Sequence, residues 1–593
     1  MANAPSTFST SRRLARRNGS GKTFSRISNA GSWPSCRNAA SRSPRTGRQR
    51  PGKVPSAKFD DMRARFLKSL ATVSGFTLAS RLLGFARQIL IAGVIGAGGN
   101  PVADAFWAAF RLPNMFRRLF AEGAFQAAFI PLFQGKLAEE DAVAAKEQAR
   151  RFAEEVLAGL ILVLGVLTAL VLVAAPVAIF MVAGGFANDP EKFDLTILYL
   201  RIMFPYLACM SVVGLLSGVL NSLDRYMAYA GAPLILNFCQ IAALVLYADG
   251  QIEMTGLALS VATTISGVLQ AALLIWGAGR QGYLPRLRLP RMTADVRRLL
   301  VLGAPGFLSA AAVQINIFVG TNIASREQGA VSWLMNADQL YQLPLSLIGI
   351  ALGTVLLPTL SRRVKAGDES GAVRALNRSI EISAALVLPA AIGFLVLAEP
   401  ICDALFRSLA SDALKLFGGR GSKFTEADAA MTGAALAYYG IGLPAFVWQK
   451  VFLPAYFARE DTRTPMMFAI WSIIANTVLA LVLFPIMGFL GVALATSLAG
   501  WLQTVLLAIG LGRGRRFLPD RRLLVRLPAI AAASIAMGLA LTYAATFTPA
   551  LAEITFGRYW IAVIVLVAGG GAIYGAALLA LGGVRISDYK ASS

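Results

Sequence analysis

Seven charged side chains sit in an otherwise apolar stretch between Ser80 and Phe125: Arg81, Arg87, Asp104, Arg111, Arg117, Arg118 and Glu122. A charge at the centre of a bilayer costs about 2.5–3.5 kcal/mol on insertion scales. These groups must therefore face protein, a water-filled cavity or one another. Asp104, Arg111 and Arg118 recur every seven residues and share a helix face, and Glu122 follows Arg118 by four, a spacing at which the pair can neutralise itself. Arg117 lies about 100° away, on a stripe with Phe110 and Asn114 and no carboxylate. Arg81 and Arg87 straddle Gly84 with no acid within a turn. Structural pairing is the better reading for Arg111 and Arg118. Arg81, Arg87 and Arg117 lack local partners and read as a cationic binding surface. A guanidinium stays charged, forks onto phosphate oxygens and is weakly hydrated, so the chemistry expected is capture of a phosphate or diphosphate headgroup.

Other chemistries find little support. The 593 residues include no histidine, which removes the commonest general base and zinc ligand. Cys36, Cys209, Cys239 and Cys402 are scattered and read as small apolar residues. No Gly-rich phosphate loop follows a strand, so ATP is not expected as the energy source. Asp403, Asp412, Glu426 and Asp428 form no recognisable catalytic pattern. No enzyme activity, metal site or cofactor is expected.

The elements that hold the arginines are membrane helices. The chain is 56% hydrophobic and 15% charged, with a mean hydropathy of +0.61. Long apolar runs recur from end to end, which predicts an all-α polytopic membrane protein. Fourteen spans are expected. The first six are 67–97, 102–133, 156–182, 195–220, 228–247 and 254–278. The next six are 299–324, 331–360, 372–397, 429–455, 465–485 and 489–511, and the last two are 524–545 and 559–581. Loops 279–298, 361–378 and 512–526 are rich in arginine, whereas 98–101, 249–253 and 486–488 hold neither Lys nor Arg. The positive-inside rule then places the basic loops and both termini in the cytoplasm. The segment 398–428 is expected to be the largest external loop. Residues 1–61 hold thirteen Lys and Arg against two Asp, which is +11 of the net +24. Ser/Arg/Pro/Gly-rich and without apolar periodicity, they read as a disordered tail upstream of a start at Met62.

The two sets of six spans resemble each other. "RLPNMFRRLFAEGAFQAAFIPLF" (111–133) aligns with "QLPLSLIGIALGTVLLPTLS" (342–361), offset by 231 at Pro113 and Pro344 and by 227 at Pro131 and Pro358. A weaker correspondence sets Asp224, Arg225 and Asn237 against Asp461, Arg463 and Asn476. An even repeat inserts both halves the same way up, as in alternating-access transporters with a midplane site. The expected division is 1–61 tail, 62–279 N-lobe, 280–512 C-lobe and 513–593 for two additional helices and the C-terminus. Gly93, Gly96, Gly98, Gly99 and Pro113 interrupt helices near the expected site. In the second half Asp338, within "WLMNADQLYQLP", is the clearest buried charge. It either answers an arginine across the halves or caps a local bend. Gln314 and Asn316 read as structural groups that bond across helices.

The stretches "LKSLATVSGFTLASRLLGFARQILIAGVIGAG" and "DAFWAAFRLPNMFRRLFAEGAFQAAFIPLF" closely resemble the MurJ (MviN) family of lipid II flippases. The resemblance continues through "ALGTVLLPTLS", "KFTEADAAMT" and "YFAREDTRTP" and covers about residues 62–585. It implies a fourteen-helix fold of the multidrug/oligosaccharidyl-lipid/polysaccharide exporter type, with two lobes and two extra helices, here 524–545 and 559–581, that form with the second lobe a groove for the lipid tail. It implies transfer of the undecaprenyl-diphosphate-linked peptidoglycan precursor to the outer leaflet of the bacterial cytoplasmic membrane. The alternative is a flippase for another polyprenyl-diphosphate-linked oligosaccharide. Arg81, Arg87 and Arg117 match the family's cavity arginines and Asp104 its important acid; Asn114, Glu122 and Asp338 are further cavity or gating candidates. Lipid II, membrane lipids and other cell-wall synthesis proteins are the implied partners, and no nucleic acid. One departure stands out: the family's helix-eight Ala-Asp-Arg is Ala337-Asp338-Gln339 here, so one expected cation is missing.

Overall fold

The computed structural model describes residues 56–120, 124–138, 140–248, 250–514, 516–555 and 557–583, with side chains from residue 75 onward except at positions 120, 124, 309, 312, 350, 351 and 354. The tail 1–55, Glu122 and residues 584–593 lie outside the described residues. The described chain is helical, with no strand among its residues. The first half comprises α1 (Ser56–Ile95), α2 (Pro101–Phe120), α3 (Ala124–Leu137), α4 (Ala142–Val173), α5 (Ala175–Ala183), α6 (Pro190–Met203), α7 (Tyr206–Ser222), α8 (Tyr226–Leu246) and α9 (Ile252–Arg280). The second comprises α10 (Ala294–Ala324), α11 (Ala330–Lys365), α12 (Glu369–Val396), α13 (Ala398–Cys402), α14 (Ala410–Leu416), α15 (Glu426–Phe457), α16 (Arg463–Met487) and α17 (Phe489–Arg513). Three more close the chain: α18 (Arg521–Ala545), α19 (Thr548–Ile554) and α20 (Tyr559–Ala580).

Side-chain caps start many of these helices. Asp141, Asp189, Thr293, Asp368 and Asp520 each accept a backbone N–H from the first turn that follows. Thr425 and Asp428 form a reciprocal capping box on α15. Eleven segments among the described residues are long and apolar enough to cross a membrane, and α10, bent by 43° between Leu308 and Val313, makes twelve. Of the expected spans, 102–133 falls on α2 and α3, and 331–360 on α11. With Asp104, Arg111, Arg117 and Arg118 in twenty residues, α2 cannot be counted on apolarity alone. Rows of exposed aliphatic groups, such as Leu162, Val166 and Leu170 on α4 and Ile470, Ile474 and Val478 on α16, form the surface expected against hydrocarbon.

One expectation needs correction. The sequence places the third span at 156–182, but α4 runs from Ala142 to Val173 and α5 begins anew after Ala174. The polar turns around Lys146, Glu147 and Arg150 hide the start from a hydropathy reading, and Pro176 in the first turn of α5 marks the break. The segment 398–428 between spans holds short helices of its own: α13, a π-helical turn at Asp403–Leu409, and α14. Cys402, Ala404, Phe406, Ala410 and Leu414 bury one face of it.

The repeat is visible in the packing. In the first half α2 packs on α6 and α7, and both α7 and α8 pack on α9; in the second α11 packs on α15, and both α15 and α16 pack on α17. Asn237 and Asn476, aligned in the sequence, do equivalent work. Asn237 Nδ2 on α8 donates to Ser80 O on α1 at 3.0 Å, and Asn476 Nδ2 on α16 donates to Asn316 Oδ1 on α10 at 2.9 Å. Beyond the repeat, α18 packs on α12 and α20. The last turns of α1 enter two hydrophobic clusters, Ile91 and Val94 in one, Ile89 and Ala92 in the other. The linker 281–293 lies along α4. Glu154, fully buried, accepts the Arg286 N–H at 3.1 Å and pairs with Arg288 at 2.6 Å, and Glu155 accepts from Thr293 Oγ1 at 2.7 Å.

Candidate functional site

A cavity of about 960 Å³ lies between the halves. One wall comes from α1 and α2, and Arg81, Arg87, Arg111, Asn114, Arg117 and Arg118 all line it. Arg81 is exposed and its Nη1 donates to Ser346 Oγ on α11 at 3.2 Å. Arg87 is half-buried, forms no ion pair among the described residues, and has its Nε buried without a hydrogen-bond partner. Arg117 donates from Nε and Nη2 to Asn114 Oδ1 at 3.1 and 2.9 Å, so Asn114 orients the guanidinium without neutralising it. The three arginines expected from the sequence are thus brought together on one cavity wall.

Arg111 behaves differently. It reaches across to the second half, donating to Thr321 Oγ1 on α10 and lying 4.0 Å from Met335 Sδ on α11. Arg118 lines the cavity, and its expected partner Glu122 lies outside the described residues.

Asp104 stands apart from these. It is absent from the cavity lining and fully buried. Seven residues along a helix amount to about 10 Å of rise, too far for Asp104 to meet Arg111. Instead it pairs with Lys192 Nζ on α6 at 3.3 Å and accepts three hydrogen bonds from the start of α11: Gly329 N–H at 2.8 Å, Ser332 N–H at 2.9 Å and Ser332 Oγ at 2.7 Å. A carboxylate from one half therefore caps a helix N-terminus of the other, where unpaired N–H groups and the helix dipole favour negative charge. Close by, Asp428 Oδ1 on α15 accepts the Gly98 N–H at 2.7 Å and Trp333 Nε1 at 2.8 Å. The halves touch so closely here that a Cβ on Gly329, at φ +82°, would stand 2.6 Å from Gly98 Cα. Together these contacts latch one end of the molecule.

The opposite cavity wall, from α10, α11, α15 and α16, carries no Lys or Arg among its described lining residues. It presents carboxamides, the stacked pair Tyr341 and Tyr439 (ring centroids 5.0 Å apart, 29° between planes), and Asp338. Asp338 accepts from Gln342 one turn along α11 and lies within electrostatic reach of Arg111 and Arg118 on the other half. Gln339 also lines the cavity. Lys192, Ser332 and the tyrosine pair escaped sequence reasoning. Lys192 follows "DP" in what reads as a polar turn, and nothing in its neighbourhood signals a buried partner.

The sequence model of the family "Lipid II flippase MurJ" matches residues 91–560. A probable lipid II flippase MurJ of Rhizobium meliloti (strain 1021) is 43% identical over 532 residues, covering 89% of this chain and 96% of that protein. A lipid II flippase MurJ of Burkholderia cenocepacia is 35% identical over 458 residues, covering 76% and 85%. Among solved structures, a lipid II flippase MurJ in an inward closed conformation superposes with a TM-score of 0.68 at 24% identity, covering 86% of this chain and 99% of the other. An inward-facing multidrug resistance MATE transporter superposes with a TM-score of 0.59 at 16% identity, covering 74% and 94%. The match across most of the chain places it in a family: this protein belongs to the lipid II flippase MurJ family.

Proposed function

We propose that this protein carries lipid II from the inner to the outer leaflet of the bacterial cytoplasmic membrane by alternating access. The observation that carries the site assignment is the arginine wall, above all Arg87, whose buried Nε has no hydrogen-bond partner among the described residues. A diphosphate supplies the acceptor oxygens that such a guanidinium lacks. Arg81, Arg87 and Arg117 draw in the diphosphate, sugar and peptide occupy the aqueous cavity, and the lipid tail stays in the bilayer. No covalent bond changes. In this reading the chain crosses the membrane fourteen times, α2–α3 and α11 included, as an N-lobe (62–279), a C-lobe (280–512) and two further helices in 513–593. The basic loops set both termini in the cytoplasm.

The latch fits the same reading. The turn joining α1 to α2 holds neither Lys nor Arg, so the end closed by Asp104 and Asp428 is the outer one. Release of Asp104 from the N-terminus of α11 is the step that opens the cavity outward. Asp338 and Asn114 tune the cavity, and Glu122 stays a gating candidate on its sequence spacing from Arg118 alone.

The test is rescue of a bacterium depleted of its own lipid II flippase. The parent chain is expected to restore growth, and Arg87→Ala, present in the membrane at equal level, to fail. Rescue by both proteins would remove Arg87 from the site. A well-expressed parent that fails to rescue would point to another polyprenyl-diphosphate-linked oligosaccharide as cargo.

A further inference from the structure

The two walls of the cavity differ in kind. The α1–α2 wall is cationic; the facing wall has a carboxylate and no cation among its described lining residues, so it repels a diphosphate rather than holding one. Yet it is not apolar. Gln314, Gln339, Gln342 and Asn476 all line it, and each carboxamide offers two N–H donors and an acceptor oxygen. Asn476 donates to Asn316, but its own Oδ1 is buried without a partner. An apolar ligand seated here would leave that oxygen without a partner, whereas a hydroxylated one can donate to it. Among them Tyr341 and Tyr439 form a stacked aromatic step.

Paired donors and acceptors, a carboxylate acceptor and aromatic faces suit one chemical class: a polyhydroxylated ring with polar edges and apolar C–H faces. We propose that the wall formed by α10, α11, α15 and α16 is a carbohydrate subsite, with Tyr341 and Tyr439 against the sugar and Gln339, Gln342 and Asn476 bonding its edges. The assignment rests on the diphosphate reading of the opposite wall and adds to it. The arginines hold what all polyprenyl diphosphates share, and the neutral wall selects what the diphosphate carries. It also gives Gln339 a use: an amide both accepts from and donates to hydroxyl groups, whereas a guanidinium only donates.

The experiment measures binding of three lipids to the purified full chain in nanodiscs: undecaprenyl diphosphate, the same lipid bearing the sugar without peptide, and lipid II. The wild type is expected to bind the sugar-bearing lipid about tenfold more tightly than the bare diphosphate, which corresponds to about 1.4 kcal/mol. Tyr341→Leu and the near-isosteric Gln339→Leu are expected to erase that gain while leaving the bare diphosphate within about twofold. Arg87→Ala is expected to weaken all three. Gln339→Leu lies on the cavity surface, so it remains informative if Tyr341→Leu fails to fold. A wild type that binds bare and sugar-bearing lipids equally, or a gain that appears only with the peptide, overturns the carbohydrate subsite and leaves the arginine wall standing. Unchanged binding in folded Gln339→Leu and Tyr341→Leu does the same. Binding of none of the three lipids would overturn both readings.

Discussion

Two stretches that share a repeat have taken opposite chemistry. With Pro113 set on Pro344, Arg111 aligns with Gln342, Arg117 with Ile348 and Arg118 with Gly349. The same helix thus lines the cavity with guanidinium groups in one half and packs an aliphatic side chain into a core in the other, where Ile348 is buried. The backbone pattern is common to both, down to the asparagines that tie α8 to α1 and α16 to α10. The lesson is that the repeat sets architecture while single positions set what the cavity attracts. In the proposed reading, an anion entering between the halves is held from one side, and the other side is free to read something else.

The comparison breaks most completely at Arg87. Alanine there should abolish rescue of a flippase-depleted strain, and lysine should restore it only in part, because the charge returns without the planar fork. Next in size is Asp104. Removing one partner of a buried ion pair costs about 3–5 kcal/mol, and Asp104→Ala also strips three hydrogen bonds from the start of α11. Thermal unfolding in detergent should shift down sharply, and a cysteine at the latched end should become more accessible to a membrane-impermeant maleimide. Ile348→Arg sharpens the contrast between the walls. It copies Arg117 into the second half at a core position and should cost on the order of 3 kcal/mol, with poor accumulation in the membrane. Gln339→Arg, facing the cavity, should fold and still support growth. The smallest effect belongs to Asp368, the half-buried cap of α12. The Gly371 N–H bonds its carboxylate at 2.8 Å and holds its pKa below the ordinary value, with Ser370 adding to the effect. Its stabilising contribution is therefore complete above the ordinary carboxylate range and is lost as pH falls through the lower folded value. Asp368→Asn should flatten slightly the acid limb of a stability–pH curve and leave the neutral plateau nearly unchanged. Asp104 and Asp368 both cap helices, and burial separates the large effect from the small one.

What the sequence made legible follows the same logic. The arginine wall could be read because charge in apolar surroundings is expensive, so that position alone implies a compensating cavity. Helices long enough to span were legible from hydropathy, and the repeat from its prolines. The role of Asp104 was not, because its partners lie 88 to 228 residues away and reach it only through the packing of α2, α6 and α11. Tyr341 and Tyr439 look like ordinary core aromatics until the fold stacks them. The short helices within 398–428 were missed because each is brief and half polar, and only burial of one face by the neighbouring helices makes them helical.

The linker along α4 has a consequence for motion. Glu154 and Glu155 fasten residues 286, 288 and 293 to the first half, and Lys136 on α3 pairs with Asp295 at 2.7 Å, in the first turn of α10. The tether is stitched down to its last residue, and it has no slack to lend. Two bodies joined by a taut cord can rock about its anchor but cannot slide apart in the plane of the bilayer. Cutting the stitches at Glu154 would convert a pivot into a leash, and the halves would lose their register before they lost their fold.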